Sequence, residues 1–125
     1  MSDLLKLLQQ HGLSELACQF AAYIDRKEQG MRPVVSITAA LLSEAIAEGH
    51  VCLNLQQLPT FCQPLKSVLP ESVDDWMEIL SLAKTVGQPG DYTPLILTEQ
   101  GLLYLYRYYR DEQDVASLIQ QRLQP

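Results

Sequence analysis

The sequence predicts an α+β fold: a helical cluster packed on a small, mostly antiparallel sheet that includes a C-terminal β-hairpin followed by a helix. Three observations lead there. From Leu4 to Ile46, apolar residues recur at the spacing of helix faces. Val51, Leu53 and Leu55 then alternate with Cys52 and Asn54, the period of a strand. Further on, the apolar runs Leu95–Leu97 and Leu102–Tyr106 flank Glu99-Gln100-Gly101. That segment has the length of a three-residue hairpin loop, with glycine where the backbone turns left-handed.

The elements follow in order. Leu4, Leu5, Leu7 and Leu8 mark a short first helix ending near His11-Gly12. Ser14 caps a second helix, with Leu16, Ala17, Phe20, Ala21 and Ile24 on its apolar face. Asp25 to Gly30 reads as a solvated polar exit stopped by Gly30, and Pro33 keeps Arg32 out of a helix. Ser36 is the expected cap of a third helix, with Ile37, Ala40, Leu41, Ala45 and Ile46 as its stripe and Gly49 as its end.

After the strand expected at Val51–Leu55, Gln56 to Pro70 is a connector holding Pro59, Pro64 and Pro70, with a helical turn near Leu65–Leu69. Ser72 and Asp75 resemble a capping box. They open a helix carrying Trp76, Ile79, Leu80 and Ala83, with Gly87 as its expected stop. Gln88-Pro89-Gly90-Asp91 is a loop before the hairpin. Asp111 caps a last helix with Val115, Leu118, Ile119 and Leu123 on one face. No repeat and no linker separates two cores, so residues 1–125 read as a single domain.

Composition narrows the function. The 125 residues are 47% hydrophobic and 19% charged, a balance that supports a core without disulfides or metals. The net charge of −6 repels nucleic acid and argues against this domain holding it alone. Cys18, Cys52 and Cys62 are odd in number and lack metal-type spacing, so they read as buried or inert reduced thiols. No apolar run approaches a membrane span, and the opening Met1-Ser2-Asp3 is unlike a signal peptide; a cytoplasmic location is the expectation.

Chemistry-bearing patterns are thin. A phosphate-binding loop needs glycines ahead of its Lys-Thr pair. Lys84-Thr85 is preceded by Ala83, with Glu78 in place of the first glycine, and reads as the tail of an amphipathic helix. Asp74, Asp75 and Glu78 could hold a divalent cation, but acidic groups in a first helical turn are favoured by the helix dipole. Asp25-Arg26-Lys27 lacks a partner acid for metal chemistry. His11 sits at a helix end, and His50 shares a strand face with Cys52, a pair that would need an oxyanion site to act as a nucleophile. No catalytic, cofactor-binding or metal-binding residue is therefore assigned.

One surface stands out. Tyr104, Tyr106 and Tyr108 share a strand face if the strand runs that far, and Arg107, Tyr109 and Arg110 accompany them. Such residues can cap a core, meet a protein partner, or stack nucleic-acid bases. Tyr104, Tyr106, Arg107, Tyr108 and Arg110 form the candidate partner interface. A small nucleic-acid-binding module using the same tyrosines and arginines is the alternative.

Several segments, taken in order, carry a family resemblance: Ala39-Ala40-Leu41-Leu42-Ser43, Gly49-His50-Val51-Cys52-Leu53, Thr93-Pro94-Leu95-Ile96-Leu97, and Leu103-Tyr104-Leu105-Tyr106-Arg107 through Asp111-Glu112. This series resembles the N-terminal domain of RecD, the alpha subunit of exodeoxyribonuclease V, the RecBCD helicase–nuclease. Asn54 departs from the proline expected after the Gly-His-Val-Cys-Leu run. The resemblance implies a parent subunit that is an ATP-dependent 5′-to-3′ DNA helicase acting in double-strand-break repair and recombination. It implies that ATP and Mg²⁺ belong to motor domains downstream, so this chain alone is expected to be no enzyme and to use no cofactor. It further implies that the domain packs against RecC in a complex with RecB, and that DNA is met only through that complex. The chain is expected to be the N-terminal docking part of a longer subunit.

Overall fold

The computed structural model describes residues 2–107 together with residue 109. The chain runs α1 (Ser2–Gln10), α2 (Glu15–Lys27), α3 (Pro33–Ala47), β1 (Leu53–Asn54), a 3-10 helix (Thr60–Val68), α4 (Val73–Ser81), β2 (Val86–Gly87), β3 (Leu95–Leu97) and β4 (Leu102–Leu105). The sheet is four-stranded in the order β1-β4-β3-β2. β4 pairs antiparallel with both β1 and β3, and β2 adds to β3 in parallel. The fold class is α+β, as the sequence implies. The helix expected from Asp111 onward lies outside the described residues.

Helix α3 is the centre of the fold because its sequence is apolar on nearly every side. Val35 to Leu42 are buried without a break, and Ala45 follows. A helix of this kind belongs in a core rather than on its edge. Helices α1 and α2 pack on it from one side. Helix α4 and one face of the sheet, represented by Leu53, Leu95, Leu97 and Leu103, also pack on it, and the 3-10 helix adds Cys62 and Leu65 to the same core. The antiparallel register sets Leu53 against Leu103 and Leu97 against Leu103, so these leucines share that face. Trp76 anchors α4: its Nε1–H donates to Thr38 Oγ1 (3.0 Å), and that hydroxyl donates to Val34 O (2.7 Å). Burying an indole requires such a partner.

The helix ends explain where sequence reasoning holds and where it slips. Ser14 and Ser72 cap α2 and α4, their hydroxyls accepting from the N–H groups of Ala17 and Asp75. Gly49 ends α3 at φ 102°, and His50 N–H closes back onto Ala45 O (2.9 Å). Ser36, in contrast, does not cap α3. The helix starts at Pro33, whose missing N–H costs nothing at a first helical position, and Ser36 is buried inside it. There Ser36 Oγ donates to Asp25 Oδ1 (3.4 Å).

The exit of α2 is also different from expectation. Asp25 and Glu28 are buried rather than solvated, each held by a partner from elsewhere in the chain. The left-handed residue that reverses the chain is Gln29 (φ 59°), followed by Gly30 (φ 70°). Helix α4 stops at Ser81, where the Ser81 hydroxyl donates to Glu78 O (2.8 Å) and competes with the backbone ladder. Lys84 and Thr85 therefore lie in a turn, and Gly87 is a strand residue instead of a helix stop. The strand expected over Val51–Leu55 is confined to Leu53–Asn54; Leu55 N–H still reaches Gly101 O (2.9 Å). The hairpin loop Glu99-Gln100-Gly101 forms as expected, with Gly101 at φ 85°.

Candidate functional site

The segment between β2 and β3 folds tightly. Asp91 Oδ2 accepts from Gln88 N–H (2.8 Å), and Asp91 N–H donates back to Gln88 O (2.9 Å). Thr93 Oγ1 donates to Leu95 O (2.8 Å). The loop lies directly over Gly87: a Cβ built there would collide with Thr93 Oγ1 and would sit 2.7 Å from Asp91 Cβ. Glycine is required at this position by close approach, as in strands where another backbone passes overhead.

Folding the loop this way leaves Tyr92 standing out at 87% exposure. Its ring meets Tyr106 edge-on, with centroids 4.8 Å apart and planes at 65°. Tyr106 is positioned by its own backbone, which donates to Pro94 O (3.0 Å) and extends the β3–β4 ladder by one step.

Two hollows of opposite charge flank the loop. The larger, about 950 Å³, is lined on the β4 side by residues including Met77, Tyr104 and Tyr109, with the acidic side chains Glu78, Asp91 and Glu99. The smaller, about 510 Å³, is lined by Tyr23, Lys27, Lys84, Thr85, Tyr92, Thr93, Pro94 and Tyr106. Among the described residues it carries two lysines and no carboxylate. Lys27 Nζ lies 5.6 Å over the ring of Tyr23, within cation–π range. Behind the hollow, Thr85 N–H donates to Glu28 Oε2 (2.8 Å), and Glu28 Oε1 pairs with Arg32 Nε (3.5 Å).

The tyrosine stripe divides between these hollows. Strand β4 ends at Leu105, and the backbone of Tyr106 and Arg107 is helical. Tyr104 is buried opposite Ile96, with Tyr109 edge-on against it at 5.5 Å, and it lines the acidic hollow. Tyr106 lines the basic one. Arg107 is exposed. Tyr108 and Arg110 lie outside the described residues. Sequence reasoning missed Tyr23, Lys27, Lys84 and Tyr92. Tyr92 alone had a local signal, since an aromatic just after Pro89-Gly90-Asp91 sits in a loop that must run on the surface.

The groups weighed for chemistry are dispersed. Asp74, Asp75 and Glu78 are exposed along α4. Among the described residues no three His, Cys, Asp or Glu side chains stand together as metal ligands would. None of the three cysteines is in a disulfide. Burial, then the charge of Glu48, pushes the Cys62 thiol up to about 12. Burial, then Glu44 and Glu15, also raises Cys18. Both thiols stay protonated at neutral pH and are poor nucleophiles. Cys52 sits half-buried on a bend, and His50 is exposed. No helix among the described residues is long and apolar enough to cross a membrane.

A family model described as RecBCD enzyme subunit RecD, N-terminal domain, matches residues 9–104. The match runs from the last turn of α1 to Tyr104 in β4 and takes in the Gln88–Pro94 loop and the lining of both hollows except Tyr106 and Tyr109. No curated protein matches the chain.

Proposed function

We propose, because this chain belongs to the family of RecD N-terminal domains, that it is a noncatalytic docking domain. It holds a helicase subunit of the RecD type against RecC within an exodeoxyribonuclease V assembly that also contains RecB. In this reading ATP, Mg²⁺ and DNA are handled by other parts of the assembly, and the role of the chain in double-strand-break repair and recombination is architectural. The family match is the observation that carries the proposal.

The docking surface we assign centres on the Gln88–Pro94 loop, with exposed Tyr92 and Arg107, half-buried Tyr106, and the buried Tyr104 lining the acidic hollow beside them; Tyr108 and Arg110 join it on sequence alone. Its character supports the assignment. Exposed tyrosine and arginine are enriched where proteins meet, and adjacent patches of opposite charge fix the register of a partner. The test is calorimetric titration of the chain with purified RecC, which should show saturable binding. A nucleic-acid-binding module is the second reading, favoured by the two lysines beside exposed Tyr92. Fluorescence anisotropy with single-stranded DNA at two salt concentrations separates the two, since phosphate contacts weaken steeply with salt.

A further inference from the structure

We infer that the basic hollow between α2 and the Gln88–Pro94 loop receives a carboxylate side chain from an acidic segment of a partner protein. The inference deepens the docking proposal and rests on it for the partner being a protein.

Charge is the first argument. The chain has 15 acidic and 9 basic residues, yet this concavity holds Lys27 and Lys84 with no carboxylate among its described lining. Among the described residues neither lysine has an acid within ion-pair distance. The nearby buried acid, Glu28, is already engaged by Arg32 and by the N–H of Thr85. Two lysines thus line a cavity whose described wall offers them no counter-charge.

The second argument is an orphan donor. Thr85 lines the hollow at 3% exposure, and its Oγ1 is the buried side-chain polar atom without a partner among the described residues. Buried polar groups are nearly always hydrogen-bonded, and an exception calls for an occupant. A threonine hydroxyl reorients by rotation about χ1, and a carboxylate oxygen offers it an acceptor.

The third argument is shape. Rings of Tyr23, Tyr92 and Tyr106 form the walls, which suit the methylene stem of a glutamate and strengthen charge pairing by excluding water. A volume of about 510 Å³ fits a side chain and its neighbours. A sugar–phosphate backbone instead needs cations in series, whereas across the loop it would meet Glu78, Asp91 and Glu99.

The experiment has two arms. In the first, the ¹⁵N-labelled chain is titrated with the peptide acetyl-Glu-Glu-Glu-amide. Amide shifts should concentrate at Lys84, Thr85, Tyr92 and Thr93, vanish in the double variant Lys27→Glu/Lys84→Glu, and persist in Lys84→Arg. In the second, the double variant should bind RecC at least tenfold more weakly while its Trp76 fluorescence stays native. RecC affinity unchanged in the double variant, with no peptide shifts in the wild type, overturns the inference and leaves docking intact. Peptide shifts without any RecC binding overturn docking and leave the carboxylate site standing. Tighter binding of oligothymidylate than of the peptide, lost in the same double variant, overturns the inference in favour of nucleic acid.

Discussion

The backbone N–H of Thr85 donates to Glu28 Oε2 at 2.8 Å, a buried bond between residues 57 positions apart. It ties the end of α2 to the turn before β2, and so sets the two sides of the basic hollow at a fixed separation. Replacing Glu28 by alanine leaves a buried donor unsatisfied and Arg32 without its acid. The expected cost is about 1–3 kcal/mol. Glu28→Gln keeps an acceptor and should lose less. Urea denaturation followed by Trp76, the only tryptophan, reads both variants; equal stability of Glu28→Ala and wild type would remove this bond from the account.

Gly87 is the second test. Its side-chain space is filled by Thr93 and Asp91, so Gly87→Ala must push the loop away. Overpacking of this kind costs about 1–3 kcal/mol. The variant should also expose the Gln88–Pro94 loop to protease at concentrations that leave wild type uncut.

Gln29 occupies a left-handed conformation that side chains resist. Gln29→Gly should therefore stabilise the chain by about 0.5–1 kcal/mol, which thermal unfolding would detect. A destabilised Gln29→Gly would mean that the Gln29 side chain makes a contact worth more than the backbone strain.

Cys62 makes stability fall in alkali. The native thiol keeps its proton up to about 12, against 9.0 for the ordinary group. Between those values the unfolded chain binds fewer protons than the native one, so its contribution is full below the lower value and is lost as pH rises toward the upper. Cys62→Ala should flatten the decline in unfolding free energy from about pH 9 to about pH 12 relative to wild type. In native protein, iodoacetamide should label Cys52 ahead of Cys18 and Cys62, because both of these are buried.

Much of the fold was legible because local signals agreed with the final packing. Ser14, Ser72, Gly49 and Gly101 act as their sequence positions imply, and Leu95, Leu97, Leu103 and Leu105 of the hairpin land on the core face. Ser36, Asp25 and Glu28 misled for a common reason. Each is polar and reads as surface, but each is buried by a partner distant in sequence that no local pattern discloses. Val86-Gly87 was invisible as a strand because two residues carry no period. The site was the least legible part. Tyr104 and Tyr106 are two apart, and only the end of β4 at Leu105 reveals that they serve different hollows. Lys27, Lys84 and Tyr92 come together through tertiary contacts alone.

The central claim is that this domain works by docking, and calorimetry with purified RecC tests it most directly. The account predicts saturable one-to-one binding. Removing the ring pair with Tyr92→Ala/Tyr106→Ala should weaken it about tenfold or more, equivalent to about 1.4 kcal/mol, in a variant whose Trp76 emission remains native. A folded wild-type chain that fails to bind RecC, or that turns over ATP by itself, would contradict it.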